Sequence, residues 1–243
     1  MTATTDRAAP TTRLWDLPVR LVHWSFALLV PLLWWTAESG KLDLHKNLGL
    51  VMLALVAFRL LWGVVGSDTA RFARFLEGPA AIRNYLAGLR SSDHAPVVGH
   101  NPLGGWSVIG LLTLLALQVS LGLFAQDTDG VKSGPLNYLV TWDTAKALSE
   151  AHEVGFNLIL ALVALHLAAI FYYRVMRRED LISPMVTGQR RFAVPVAAPR
   201  MAPLWRAAVC AMLAGGLAVW LSTGLALPWD KPPAAPPPPA DYM

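Results

Sequence analysis

Residues 152–166 read His152-Glu-Val-Gly-Phe-Asn-Leu-Ile-Leu-Ala-Leu-Val-Ala-Leu-His166, two histidines bracketing thirteen residues of which only Glu153 is charged. The apolar run continues to Tyr173, so its length and character predict a transmembrane helix. Positions fourteen apart on a helix differ by only about 40° in rotation and lie about 21 Å apart along the axis. The two imidazoles therefore share one face at two depths. Ionisable groups inside an apolar run are costly and mark functional positions.

Working outward, four more runs have the same character, giving predicted spans at about 21–37, 48–65, 103–125, 154–173 and 207–227. Composition agrees. Of 243 residues, 55% are hydrophobic and 15% charged, and the mean hydropathy is +0.44, too apolar for an ordinary soluble domain. Little chain is left for a large extramembrane domain. The formal charge of +4 does not indicate nucleic acid, because the basic residues flank apolar runs and build no face of their own. The single cysteine, Cys210, excludes a disulfide framework, a cysteine-ligated cluster and a covalently attached c-type haem. In the fifth span it reads as a small apolar packer.

The first run lacks a small-residue cleavage site and is expected to remain as an anchor. Outside the spans, fourteen arginines fall at the start, between the second and third spans, and between the fourth and fifth, whereas the five lysines fall on the other side. This asymmetry predicts a cytoplasmic amino terminus and a periplasmic carboxy terminus. Trp15, Trp34, Trp35, Trp106, Trp205 and Trp229 near span ends are expected to form interfacial belts. Arginines among apolar residues over about 71–90 predict a helix lying on the membrane surface. Prolines 232, 233 and 236–239 predict an extended tail. The expected organisation is a cytoplasmic tail (1–12), a transmembrane domain (13–191), a cytoplasmic linker with a fifth transmembrane helix (192–228), and a Pro-rich periplasmic tail (229–243).

Depth matching groups the histidines. With that topology, His45 opens span two and His152 opens span four near one surface, while His23, early in the outward-running span one, is level with His166 near the other. Two stacked histidine pairs without cysteine or carboxylate neighbours fit two non-covalent bis-histidine b-type haems, each iron taking one imidazole from either side. Zinc would require four ligands at one level. The expected pairs are His23/His166 and His45/His152, and the fold class is an all-α integral membrane protein: a four-helix haem-binding bundle with a fifth carboxy-terminal span. Arg59, fourteen residues after His45, is expected at the His166 level, where a haem propionate would satisfy it; snorkelling to headgroups is the alternative. Gly155, about 20° from His166 in projection, is expected to admit a flat macrocycle or to pack helices. His94 and His100 read as surface residues, with contact between His100 and a quinone or a propionate near the inner haem as the alternative, and Gln118 and Asn157 as helix bridges.

Leu14-Trp-Asp-Leu-Pro-Val-Arg-Leu-Val-His23-Trp, Phe58-Arg-Leu-Leu-Trp-Gly-Val-Val-Gly-Ser67, Arg71-Phe-Ala-Arg-Phe, and His100-Asn-Pro-Leu-Gly-Gly105, with His45 and the His152–His166 helix, resemble the bacterial cytochrome b561 and Ni,Fe-hydrogenase b-type cytochrome family over roughly residues 13–191. The resemblance implies a bundle with two b haems on those four histidines, and electron transfer between membrane quinone and a partner redox protein. The expected function is that of a bacterial inner-membrane cytochrome linking the quinone pool to a periplasmic c-type cytochrome or hydrogenase, with lipid around it and a homo-oligomer as an option. No catalytic residue is assigned. The competing expectations are a superoxide:quinone oxidoreductase, with Lys41, Lys46 and Lys132 steering the anion, and a haem-free proton-coupled transporter using the histidines and Arg59 as a relay.

Overall fold

The computed structural model describes residues 11–88, 97–192 and 194–225; most of the amino-terminal tail, His94 and the Pro-rich tail lie outside them. Among the described residues are five helices long and apolar enough to cross a membrane: α1 (Leu17–Glu38), α2 (Leu42–Val65), α5 (Pro102–Gly122), α6 (Trp142–Val175) and α8 (Leu204–Ser222). Short helices α3 (Phe72–Phe75) and α4 (Pro79–Gly88) follow α2, and α7 (Ile182–Thr187) follows α6. The chain is a helical, multi-pass membrane protein.

Local chemistry sets the helix starts. The Asp16 carboxylate accepts the Val19 N–H at 2.8 Å and Pro18 occupies the first turn of α1, while the Asn101 side chain accepts Gly104 N–H at 2.7 Å ahead of Pro102 in α5. Both are N-caps leading into a first turn in which a proline has no N–H to orphan. Helix α6 begins twelve residues before the predicted span, capped by Thr141. Its first three turns are too polar to register as membrane-spanning, yet they propagate the same helix, so its 34 residues extend about 51 Å. The expected surface helix over 71–90 is instead two helices, broken at Leu76-Glu77-Gly78. The first is clamped to the bundle: a Cβ on Gly63 would lie 2.1 Å from the Phe72 ring, and Phe75 is buried.

Helix α2 is the hub, packed on α1, α5 and α8, while α6 packs closely on α5 alone. Three apolar layers stack along the bundle. At the arginine-rich end Trp15, Val22, Phe58, Trp62 and Cys210 pack together. Leu29, Met52, Val56, Leu115 and Ile159 form the middle, and Leu53, Leu123, Leu136 and Ala218 the far end. Trp15 is only 6% exposed and so does not join an interfacial belt, whereas Trp34, Trp35, Trp106 and Trp205 remain exposed. Helix α8 approaches α2 through small residues, with Cys210, Ala214 and Ala218 buried on one stripe. Its approach is anchored by Asp68, which accepts the Arg200 N–H, and by Ser67, whose hydroxyl accepts the Ala202 N–H. A two-stranded antiparallel sheet, β1 (Thr11–Arg13) with β2 (Gln189–Arg191), ties the start of α1 to the segment after α7.

Candidate histidine sites

Two imidazole pairs stand across the gaps that the helix packing leaves open. His45 on α2 faces His152 on α6 with ring centroids 6.2 Å apart and planes at 81°. His23 on α1 faces His166 on α6 at 6.4 Å and 58°. Neither α1 nor α2 approaches α6 as closely as α5 does, and the paired rings face one another across that wider separation. Two metal–imidazole bonds of about 2 Å, with each ring centroid about 1.2 Å behind its nitrogen, separate the centroids of opposed ligands by about 6.4 Å. Both pairs fit one iron held between two histidines. No cluster of three or more His, Cys, Asp or Glu suited to a bare metal ion occurs among the described residues.

The His45/His152 pair lines a cavity of about 670 Å³. A carbonyl oxygen only accepts, so His45 donates its Nδ1–H to Leu33 O at 2.9 Å, with the Thr36 hydroxyl oxygen 3.3 Å away. Likewise His152 donates Nδ1–H to Gln118 O at 3.0 Å. Each ring is thereby fixed in the tautomer that leaves Nε2 with a free lone pair, the arrangement that orients metal-ligating histidines. Gly122 makes room beside the His152 ring, since a Cβ there would lie 3.1 Å from it. A Cβ on Gly49, which lines the same cavity one turn after His45, would meet nothing within 4 Å. A flat macrocycle fits this cradle.

Gln118 acts as a helix bridge, donating Nε2–H to His152 O at 2.8 Å. It also overturns the macrocycle reading of Gly155: a Cβ there would stand 2.5 Å from the Gln118 Oε1, so this glycine accommodates the glutamine. Asn157 donates to Glu153 O on its own helix.

Arg59 is 5% exposed and does not snorkel. Its Nη1 donates to Ala70 O at 3.3 Å and its guanidinium lies 5.1 Å from the Phe72 ring centroid. His100 is half-buried rather than a surface residue. Its ring sits between Trp15 and Phe75, with centroids at 4.7 and 4.4 Å, and its enclosed Nδ1 has no hydrogen-bond partner among the described residues. Burial, reinforced by the Arg59 cation, pushes its pKa down to about 3, so it is neutral at physiological pH. Tyr173 was also missed by the sequence reading. It hydrogen-bonds Tyr85 at 2.5 Å and accepts from Asn101 Nδ2 at 3.2 Å. Burial, then this bond, raises the Tyr85 pKa. Its seven-residue spacing from His166, which sets the two about 20° apart on α6, was the available signal. At the opposite end Lys132 pairs with Asp43 at 2.7 Å and Lys41 lies over Trp35 at 4.2 Å.

The family model described as prokaryotic cytochrome b561 matches residues 14–188. The chain is 24% identical to a probable Ni/Fe-hydrogenase B-type cytochrome subunit of Rhizobium leguminosarum bv. viciae, covering 73% of this chain and 88% of the relative. It is 24% identical to the corresponding protein of Cupriavidus necator, over 74% and 87%. To a probable Ni/Fe-hydrogenase 1 B-type cytochrome subunit of Escherichia coli it is 23% identical, over 72% and 88%. No solved structure matches the chain.

Proposed function

The chain belongs to the prokaryotic cytochrome b561 family, and from that premise we propose that it carries electrons across the bacterial inner membrane through two b-type haems, one held by His45 and His152 and the other by His23 and His166. The observation that carries this reading is the pair of opposed imidazoles at 6.2 and 6.4 Å, each between helices that approach one another less closely than α6 approaches α5. The haems would supply reversible one-electron chemistry at six-coordinate iron, which leaves no position open for a substrate.

The protein's own residues do the rest. The Leu33 and Gln118 carbonyls hold the outer imidazoles in the ligating tautomer, and Arg59, kept protonated by its intrinsic basicity, is the cation proposed for a propionate of the inner haem. The middle layer of Leu29, Met52, Leu115 and Ile159 separates the two levels and keeps water from the space between them. Fourteen residues of α6 fix those levels about 21 Å apart, a separation that bridges most of a hydrocarbon layer of about 30 Å.

The arginine-rich end is assigned to the cytoplasm and the lysine-bearing end to the periplasm. Quinone and a periplasmic redox protein are the proposed partners. The printed names of the relatives favour a hydrogenase over a c-type cytochrome.

A reduced-minus-oxidised spectrum with a haem count tests the reading. Purified protein is expected to bind two b haems per chain, and His152→Ala to bind one fewer. A folded, colourless preparation, or an unchanged count in that variant, rejects it. Recovery of a hydrogenase from native membranes with the tagged chain supports the partner assignment, and recovery of a c-type cytochrome alone overturns it.

A further inference from the structure

The cavity beside His45 and His152 is roofed by the loop that joins α5 to α6, which contributes Gln126, Asp127, Lys132, Ser133, Gly134 and Pro135 to its lining. One edge of this strap is firmly built. The Gly134 N–H donates to Ala125 O at 2.8 Å and the Asp127 N–H to Lys132 O at 2.9 Å. Ser149 of α6 accepts the Gln126 N–H and donates its hydroxyl to Gln126 O, both at 2.9 Å. Gly130, at φ +67°, turns the strap so close to α6 that a Cβ there would stand 2.5 Å from the Trp142 ring. The other edge is held differently. Lys132 reaches across to α2 and pairs with Asp43 at 2.7 Å. These two side chains are 46% and 67% exposed, so water and salt compete for both partners.

We propose that this strap is a latched lid: the Lys132–Asp43 pair holds it down over the outer histidine cavity, and breaking the pair lifts the Lys132 edge from α2 and admits water and small water-borne solutes. The asymmetry of the two edges carries the inference. A loop secured by backbone bonds on both sides would be a fixed wall, and a loop secured on neither would leave the cavity open. A loop hydrogen-bonded to α5 and α6 but tied to α2 by an exposed ion pair has one edge that moves at low cost. Closed, it shuts the space between His45 and His152 from the aqueous phase at the lysine-bearing end. Opened, it lets in solutes small enough to pass between the separated ammonium and carboxylate. The lid concerns how the cavity meets water and holds whatever the two imidazoles bind.

Gly49→Cys, in a Cys210→Ala background, puts a thiol in the cavity where a Cβ meets nothing within 4 Å. Its rate of reaction with a sulfonated, membrane-impermeant maleimide, in the purified full chain, measures access from water. Asp43→Asn and Lys132→Gln each break the pair but change the local charge in opposite senses. A mere field effect on the anionic reagent would therefore move the two rates in opposite directions, whereas unlatching raises both. Each is expected to rise by up to about fivefold, the range open to an exposed ion pair. The rate with the native latch should climb toward theirs as salt is raised, and the double reversal Asp43→Lys with Lys132→Asp should bring it back down. Rates that stay equal, or that part in opposite directions, overturn the lid. If the thiol reacts neither with this reagent nor with uncharged N-ethylmaleimide, trypsin cleavage after Lys132 decides: it is expected to be faster in Asp43→Asn, and an unchanged rate identifies a fixed wall. Haem content of the same preparations keeps the two readings apart. Bound haem with unmoved rates rejects the lid alone, and raised rates in a haem-free protein reject the functional reading alone.

Discussion

Asp16 shows how much one residue can hold together. One carboxylate oxygen caps α1 through Val19 N–H and the other accepts the indole N–H of fully buried Trp62 at 3.0 Å. Asp16→Ala removes the cap and strands a buried donor, and is expected to lower stability by about 2–3 kcal/mol, measured as a drop in the thermal midpoint in detergent. His100 makes a prediction in pH. Its folded pKa is depressed to about 3, so as pH falls through its unfolded value of about 6.5 the unfolded chain takes up a proton that the folded one refuses. Stability should then decline by up to about 1.4 kcal/mol per pH unit between pH 6.5 and pH 3 from this group alone. His100→Phe is expected to flatten the pH dependence of unfolding over that window; an unaltered slope would contradict the burial argument. Reading His100 as a surface residue followed from its place in a loop between spans. Its actual neighbours, Trp15 and Phe75, lie 85 and 25 positions earlier in the chain, and no local pattern announces them.

At the level of elements, the helices that carry histidines were legible because each requirement was local: about 20 apolar residues to cross, and a fourteen-residue interval to keep two side chains on one face. What was not legible depended on distant partners. The strand pair β1–β2 joins residues nearly 180 positions apart, with only three residues a side and no alternation long enough to read. The break between α3 and α4 arises because Phe72 and Phe75 are drawn into the bundle, which a surface helix running straight through would not permit. Gly63 is the socket for that contact. Gly63→Ala places a Cβ within 2.1 Å of the Phe72 ring and is expected to cost about 1–3 kcal/mol as the ring is expelled. Arg59 would lose its aromatic neighbour, so the cost should appear in unfolding measurements together with increased protease cleavage after Arg71 or Arg74.

For the molecule as a whole, the fifth helix is an integral wall. Ala214 is 2% exposed where α8 meets α2, and Ala214→Leu inserts a side chain for which the small-residue seam has no space. A destabilisation of about 1–3 kcal/mol is expected, with unfolding followed by tryptophan fluorescence; a neutral result would mean that α8 is loosely held.

Helix α6 contributes one imidazole to each pair. The interval between the two histidine levels is accordingly written into a single covalent rod, and a bilayer that thins or thickens around the protein changes the tilt of that rod without changing the interval. Deleting one residue between 153 and 165 would swing one ring about 100° away from its mate, so insertions and deletions here should be punished far more heavily than substitutions. Tunnelling between the two haems proposed at these levels would in this way be insulated from the lipid composition of the cell, and sensitive only to the reading frame of fourteen residues.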